Sequence, residues 1–262
     1  RRRLDWNNFD HKFYNDYQTF QYNIKGNSPN LFGNRISQIK AILNQAKKLG
    51  LNKYVMFKDY KVIRTKSKKE YLNHEEIQLL SDLDLSDNKR LERVRDIFLV
   101  CCYTGVRFSE YKNLKKENIG LGENGKSINY YSKKTKKYIN TICNDLTLDL
   151  LKKYRFNLPD ISGQKYNEYI KEICELAGID NVITVHTYKS GKAITYQKKK
   201  FKLIASHTGR RSFITNLYKR NVSISQIMVC TGHTKESTLI NYIQASAIES
   251  IDLIHQTLKK SG

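Results

Sequence analysis

Apolar positions recur with helical spacing through most of this chain. Near the start, Phe9, Phe13, Tyr17 and Phe20 fall at i, i+4, i+8 and i+11, and Ile36, Ile39, Leu43, Ala46 and Leu49 follow at similar intervals until Gly50. Two helices are predicted there. The stretch Arg64-Thr65-Lys66-Ser67-Lys68-Lys69 has no apolar period, and a fresh helix begins at Asn73, an N-cap with Glu76 placed to complete a capping box. The pattern divides the chain into a small helical domain over 1–64, a linker over 65–70 and a second domain over 71–262. A strongly apolar helix from Leu91 to Tyr103 follows, closed by Gly105. Then β-prone segments appear, Ser127 to Tyr131 and Tyr138 to Cys143, preceded by an Asn124-Gly125 turn and joined by Lys133-Lys134-Thr135-Lys136-Lys137. Helical spacing returns with Tyr166, Ile170, Ile173 and Ala177 before Gly178. Ser190-Gly191 predicts a further hairpin, and after Gly209 the chain is helical nearly to its end. The predicted fold is mainly α with a small antiparallel β-sheet (α+β), in two domains.

Composition narrows the class. The 262 residues are 39% hydrophobic and 11% aromatic, enough for a packed core and too much for a disordered basic tail. The longest apolar stretch, Ile97 to Tyr103, is far short of the roughly 20 residues that span a bilayer, so no integral membrane protein is expected. The chain opens on Arg-Arg-Arg with no initiator Met and no apolar run behind it, which reads as a fragment rather than a signal peptide. Cys101, Cys102, Cys143, Cys174 and Cys230 form no CxxC pair and sit in mostly apolar settings; reduced, buried thiols in a cytoplasmic protein are expected, without a disulfide framework or a metal site.

Charge points to the partner. Lys and Arg number 47 against 25 Asp and Glu, a net +22. Residues 1–64 hold 13 Lys+Arg and 4 Asp+Glu, or +9, which leaves +13 for the rest. An excess spread over both domains suits an extended surface that follows a nucleic-acid backbone. On the helix from Ile36 to Leu49, Arg35, Lys40, Lys47 and Lys48 occupy the polar side and are candidate DNA contacts.

Three segments carry candidate chemistry. In Thr104-Gly105-Val106-Arg107-Phe108-Ser109-Glu110 an arginine sits in the turn between one helix and a next, whose N-cap would be Ser109. In Ser206-His207-Thr208-Gly209-Arg210-Arg211-Ser212 a histidine and an arginine three apart open a helix and can both donate to an oxyanion. In Thr231-Gly232-His233-Thr234 the glycine ends one helix and Thr234 can cap the next, which would carry Tyr242 nine residues after His233. Each segment alone suits an ordinary turn or cap, and Tyr242 alone suits a core tyrosine.

Together they resemble the tyrosine recombinase (phage integrase) family. Thr104 to Glu110 is similar to its first arginine box, His207 and Arg210 to its His-x-x-Arg box, and His233 and Tyr242 to its Gly-His and tyrosine at the expected separation. The resemblance covers residues 70–262, the earlier helices look like the family's core-type (SAM-like) DNA-binding domain, and the C-terminal half is most similar to integrases of conjugative transposons and related mobile elements. It implies site-specific recombination of double-stranded DNA with neither metal nor ATP, through a 3′-phosphotyrosyl intermediate and a Holliday junction, by a nucleoid-associated enzyme that grips duplex DNA between its domains.

The resemblance assigns roles as well. Arg107 and Arg210 would hold the non-bridging oxygens of the scissile phosphate, where the planar guanidinium fork suits a phosphate better than lysine does. Tyr242 would be the nucleophile, and His207 and His233 would bond the phosphate or move a proton. A turn lysine would protonate the leaving 5′ oxygen. Lys134 is chosen because Lys134-Thr135 matches the family's Lys-Thr pair; Lys133 and Lys136 remain alternatives and candidate DNA contacts, and strand alternation would put Lys134 and Lys136 on one face. Glu110 would position neighbouring cations or serve as a first-turn helix acid. Gly209 departs from the pattern, since a helix favours a side chain there. On the last helix, Ile248, Ile251, Leu253 or Ile254, and Leu258 share a face that would exchange between protomers of a homotetramer on DNA, or fold back on its own domain. A type IB topoisomerase-like relaxing enzyme, a non-catalytic DNA-binding regulator, and a zinc hydrolase built on His207, His233 and Cys230 are the alternatives.

Overall fold

The computed structural model describes residues 5–65, 69–123, 125–244 and 247–260, the side chains of 247, 248 and 256–260 excepted. Arg1 to Arg3, Lys66 to Lys68 of the expected linker and Asn124 of the expected turn lie outside the described residues, as do the side chains of Ile248 and Leu258. The chain forms two compact units, one over the described part of Arg1–Lys68 with Thr184–Gln197, the other over Lys69–Ile183 with Lys198–Gly262.

In the first unit, α1 (His11–Thr19) is capped by Asp10, which accepts from the Phe13 amide, and runs on into a π-helical turn, Phe20–Ile24. Ser28 caps α2 (Pro29–Lys48), with Pro29 at its first position. Phe13, Tyr14 and Tyr17 pack against the buried Phe32, Ile36, Leu43, Phe57 and Tyr60, so the two apolar stripes seen in the sequence face one another. Lys40 does not project from α2 as a free cation. Its ammonium donates to the carbonyls of Lys58 and Tyr60, at 2.6 and 2.8 Å, because that loop ends its own short helix alongside. Arg35, Lys47 and Lys48 are exposed. Thr65 is tied to α2 through paired amide bonds with the Asn30 side chain, at 2.8 and 2.9 Å. Most of the Ser190–Gly191 hairpin, Thr184–Gln197, also groups with this unit, where the Tyr22 ring covers Gly191.

The second unit is built around α4 (Lys89–Thr104), whose Ile97, Val100 and Cys101 are fully buried. Ahead of it, α3 (His74–Asp82) starts at Asn73 with both bonds of the capping box to Glu76. After it come β1 (Ile119–Gly122), β2 (Gly125–Ser132) and β3 (Lys137–Cys143), an antiparallel sheet in which Tyr130 pairs with Ile139 and Ser132 with Lys137. The first strand has no sequence signal, being four residues with two glycines. Next are α5 (Asp145–Lys153), α6 (Gly163–Leu176), the hairpin β4 (Val182–Lys189) and β5 (Lys192–Lys199), α7 (Ser206–Lys219), α8 (Ile224–Thr231), α9 (Glu236–Ile240) and α10 (Ala247–Lys260). The fold is mostly helical with small antiparallel sheets.

Gly209 is explained by packing. A Cβ there would lie 2.9 Å from the Cβ of Cys101, so glycine lets α7 cross α4 at close range. Three expected details change. Ser109 caps no helix, since the chain after Arg107 makes only a tight turn and the 3₁₀ segment Tyr111–Asn113, held where Tyr111 donates to the Pro159 carbonyl at 2.7 Å. Thr234 caps nothing either, as α9 begins at Glu236 with Lys235 in the cap position. Residues 133–136 are a turn rather than strand, with Lys136 at φ 53, so alternation does not sort their lysines. The start of α10 rests on its own unit through Lys219–Glu249 at 2.7 Å, while Ile251 and Ile254 remain exposed.

Candidate active site

Four elements of the second unit bring the sequence-predicted residues to one corner. The left-handed Gly105 that ends α4 delivers Arg107 into the following turn. Arg107 is 6% exposed, and its Nη1 donates to Glu110 Oε2 at 3.0 Å and to Ser132 Oγ at 3.4 Å. Burial pushes the Glu110 carboxyl up, but its hydrogen bonds from Ser132 and Arg107 and the Arg107 charge outweigh this and leave it below the usual range. Glu110 is therefore an ionised partner of Arg107 rather than a helix-end acid.

Arg210 comes from the second turn of α7 and is only 1% exposed. Nη1 donates to the Gly105 carbonyl at 2.7 Å and Nη2 to the Thr231 carbonyl, so the arginine joins the end of α4 to the end of α8. Burial, and then the charge of Arg107, push its pKa down to about 10, which still leaves it charged at neutral pH. The Nε atoms of both Arg107 and Arg210 are buried with no acceptor. Two like charges thus crowd each other with Glu110 their common carboxylate and with donors unspent. An anion would satisfy both deficits.

Gly232 ends α8 in the left-handed region, at φ 66, and a Cβ on it would meet the Ile139 side chain at 2.4 Å; both constraints set the corner that presents His233. Thr231 Oγ1 donates to the Ile227 carbonyl at 2.6 Å, and therefore accepts from His233 Nδ1 at 2.8 Å. That leaves Nε2 of the neutral ring as an acceptor. Burial, then the charges of Arg210, Arg107 and Lys134, push the His233 pKa down to about 3. His207, on the first turn of α7, is exposed at the rim of the site; desolvation and then the charges of Arg211, Lys134 and Arg210 lower it as well. Lys134 is exposed in the β2–β3 turn, and its amide is directed at Glu110 Oε1, at 3.4 Å. Lys133 and Lys136 are exposed on the same turn.

Tyr242 is half-buried, its ring 5.2 Å from that of His233 and 5.9 Å from the Arg210 guanidinium carbon. It sits in the turn just after α9 and not on a helix. The buried Thr215 of α7 is the cause: its hydroxyl donates to the Tyr242 carbonyl at 3.2 Å and accepts from the Gln244 amide at 3.3 Å, which pulls the chain out of helical geometry. Thr215 and Ser132 were not singled out by sequence, where each is an ordinary small polar residue, and Thr231 stood in the third segment with no role of its own. Among the described residues no group of three or more His, Cys, Asp or Glu could hold a metal ion, and no helix is long and apolar enough to cross a membrane.

The model of the phage integrase family matches residues 70–248. No curated protein sequence matches the chain. Among solved structures, it is similar to the XerH site-specific recombinase bound to palindromic difH substrate in a post-cleavage complex, with a TM-score of 0.66 and 16% identity over 93% of this chain and 68% of that one. It is similar also to the Tn1549 transposon integrase in complex with circular intermediate DNA, with a TM-score of 0.60 and 16% identity over 93% of this chain and 85% of that one. A lambda integrase dimer bound to a COC′ core site gives a TM-score of 0.57 and 14% identity over 83% of this chain and 73% of that one. At these identities the likeness is one of fold.

Proposed function

We propose, from the premise that this chain belongs to the phage integrase family and is a site-specific tyrosine recombinase, that it cuts and rejoins double-stranded DNA with Tyr242 as nucleophile. The observation that carries this reading is a pair of buried arginines with unspent donors, one of which, Arg210, lies beside that tyrosine. A phosphodiester resists attack because its negative charge repels the nucleophile and its alkoxide leaves poorly. Arg107 and Arg210 neutralise the non-bridging oxygens. The Tyr242 oxygen attacks phosphorus, and its proton passes to Nε2 of His233, which the free site holds neutral and which gains basicity once the bound phosphate offsets the charges of Arg210 and Arg107. As the P–O5′ bond breaks, Lys134 protonates the leaving oxygen and a 3′-phosphotyrosyl ester remains. His207 hydrogen-bonds the phosphate from the rim. A 5′ hydroxyl from the partner duplex then attacks that ester, releases Tyr242 and forms a Holliday junction.

The active assembly is a homotetramer on DNA that uses α10. The support is the exposure of Ile251 and Ile254 on a helix whose first turn is tied to its own unit through Lys219–Glu249. The same feature favours recombination over relaxation of supercoils by a monomer. Exposed Arg35, Lys47 and Lys48 on α2, with Lys133 and Lys136, supply backbone contacts.

The test uses a pool of nicked duplexes with randomised core sequence, in which cleavage releases a short fragment and traps the enzyme. Wild-type protein forms a covalent adduct that survives denaturation and chelators, and Tyr242→Phe forms none. An adduct of equal yield with Tyr242→Phe overturns the reading.

A further inference from the structure

Ser132 closes β2 immediately before the lysine turn and is fully buried. Its hydroxyl is used to capacity. It donates its one proton to Glu110 Oε1 at 2.6 Å and lies as acceptor 3.4 Å from both Arg107 Nη1 and the Thr135 amide. The same Glu110 oxygen faces the Lys134 amide at 3.4 Å. Two successive amides of the turn, those of Lys134 and Thr135, are therefore directed at a cradle made of the Ser132 hydroxyl and the Glu110 carboxylate. The far side of that carboxylate holds Arg107 at 3.0 Å. Every link is buried or partly buried, where a hydrogen bond is stronger and a missing one costs more than in water.

We propose that Ser132 is the positioning residue for the general acid: it fixes the backbone of the turn that carries Lys134 to the carboxylate that orients Arg107. This rests on the reading of Lys134 as the acid. A flexible lysine on a loose turn would reach the leaving oxygen in few of its rotamers; a turn pinned at two amides starts the side chain from one place. Ser132→Ala removes the donor to Glu110, the acceptor for Thr135 and the long contact from Arg107, which keeps its 3.0 Å bond to Glu110, while leaving Lys134 and Tyr242 in the chain. Its effect should therefore fall on proton delivery.

The experiment measures single-turnover cleavage of a duplex recovered from the trapped adducts of that randomised pool, in two forms: the ordinary phosphodiester, and one whose bridging 5′ oxygen is replaced by sulfur. A thiolate leaves without a proton, so loss of the acid is invisible on the second substrate. Lys134→Ala is run in parallel. Ser132→Ala should cleave the ordinary duplex about tenfold or more slowly, with the deficit on the sulfur substrate falling to within about twofold of wild type. Binding of uncleaved duplex by Ser132→Ala, unchanged from wild type, reports an intact fold. Equal losses on both substrates, with Lys134→Ala rescued, overturn the role of Ser132 and leave that of Lys134 standing. Failure of sulfur to rescue Lys134→Ala overturns the assignment of the acid, and the proposal with it. If Ser132→Ala does not accumulate as folded protein, Ser132→Cys, close in size but a weak donor, carries the same comparison with a smaller deficit in the same direction.

Discussion

Arg107 and Arg210 differ in how they are held, and the difference predicts how each tolerates change. Arg107 has a carboxylate partner, whereas Arg210 is fixed by two main-chain carbonyls and has no acid of its own. A lysine at 210 cannot reach both carbonyls while facing a phosphate, because it lacks the planar fork. Arg210→Lys should lower single-turnover cleavage by about 10²-fold or more, the scale set by loss of one preorganised donor to a developing oxyanion. A second consequence concerns acid. The folded-state pKa of His233 is depressed from 6.5 to about 3, so below 6.5 the unfolded chain binds a proton that the folded chain does not take up until much lower pH. Its contribution to stability is thus fully present above about pH 6.5 and is lost progressively as pH falls toward 3. Urea midpoints at about pH 7 and pH 5 should converge in His233→Gln relative to wild type; an undiminished difference would contradict the neutral assignment.

Local spacing carries most of the helical elements. Asn73 with Glu76, the apolar run to Gly105 and the stop at Gly232 are all interactions between near neighbours in the chain, so their patterns survive in sequence. What the pattern does not carry is set from a distance. Ser132 meets Glu110 across 22 positions and Thr215 meets Tyr242 across 27, and neither pairing leaves a period to read. The same reason explains why Tyr242 departs from helical geometry and why Lys40 is taken up by two carbonyls of a neighbouring loop. Candidate catalytic residues were legible because the motif boxes keep fixed spacings, while the groups that orient them were not. At the crossing of α4 and α7, Gly209→Ala would press a methyl against Cys101 and should destabilise the unit by about 1–3 kcal/mol, seen as a lower urea midpoint. An unchanged midpoint would mean that the two helices can separate freely at this point.

Across the whole molecule, the net charge of +22 now has a division of labour. On the proposed mechanism Arg107, Arg210 and Lys134 would act on one phosphate, and the exposed lysines and arginines of both units would serve the backbone at large. Six or more phosphate contacts would give a log–log slope of affinity against salt of about −5 or steeper, measurable by fluorescence anisotropy. A slope near −1 would reduce the charge to a solvated surface. Assembly is a separate property. Replacing both Ile251 and Ile254 with Asp should abolish tetramers on DNA in mass photometry while leaving the binding of a single protomer intact. The central claim is that Tyr242 attacks the phosphate that the arginines hold, and the trapped adduct tests it directly. Cleavage after Lys235 and Lys259 yields a peptide over residues 236–259 with Tyr242 as its one tyrosine. Mass spectrometry of the nuclease-trimmed adduct should place the nucleotide remnant on that peptide, at Tyr242; a remnant on any other residue, or none on a trapped complex, would contradict the account.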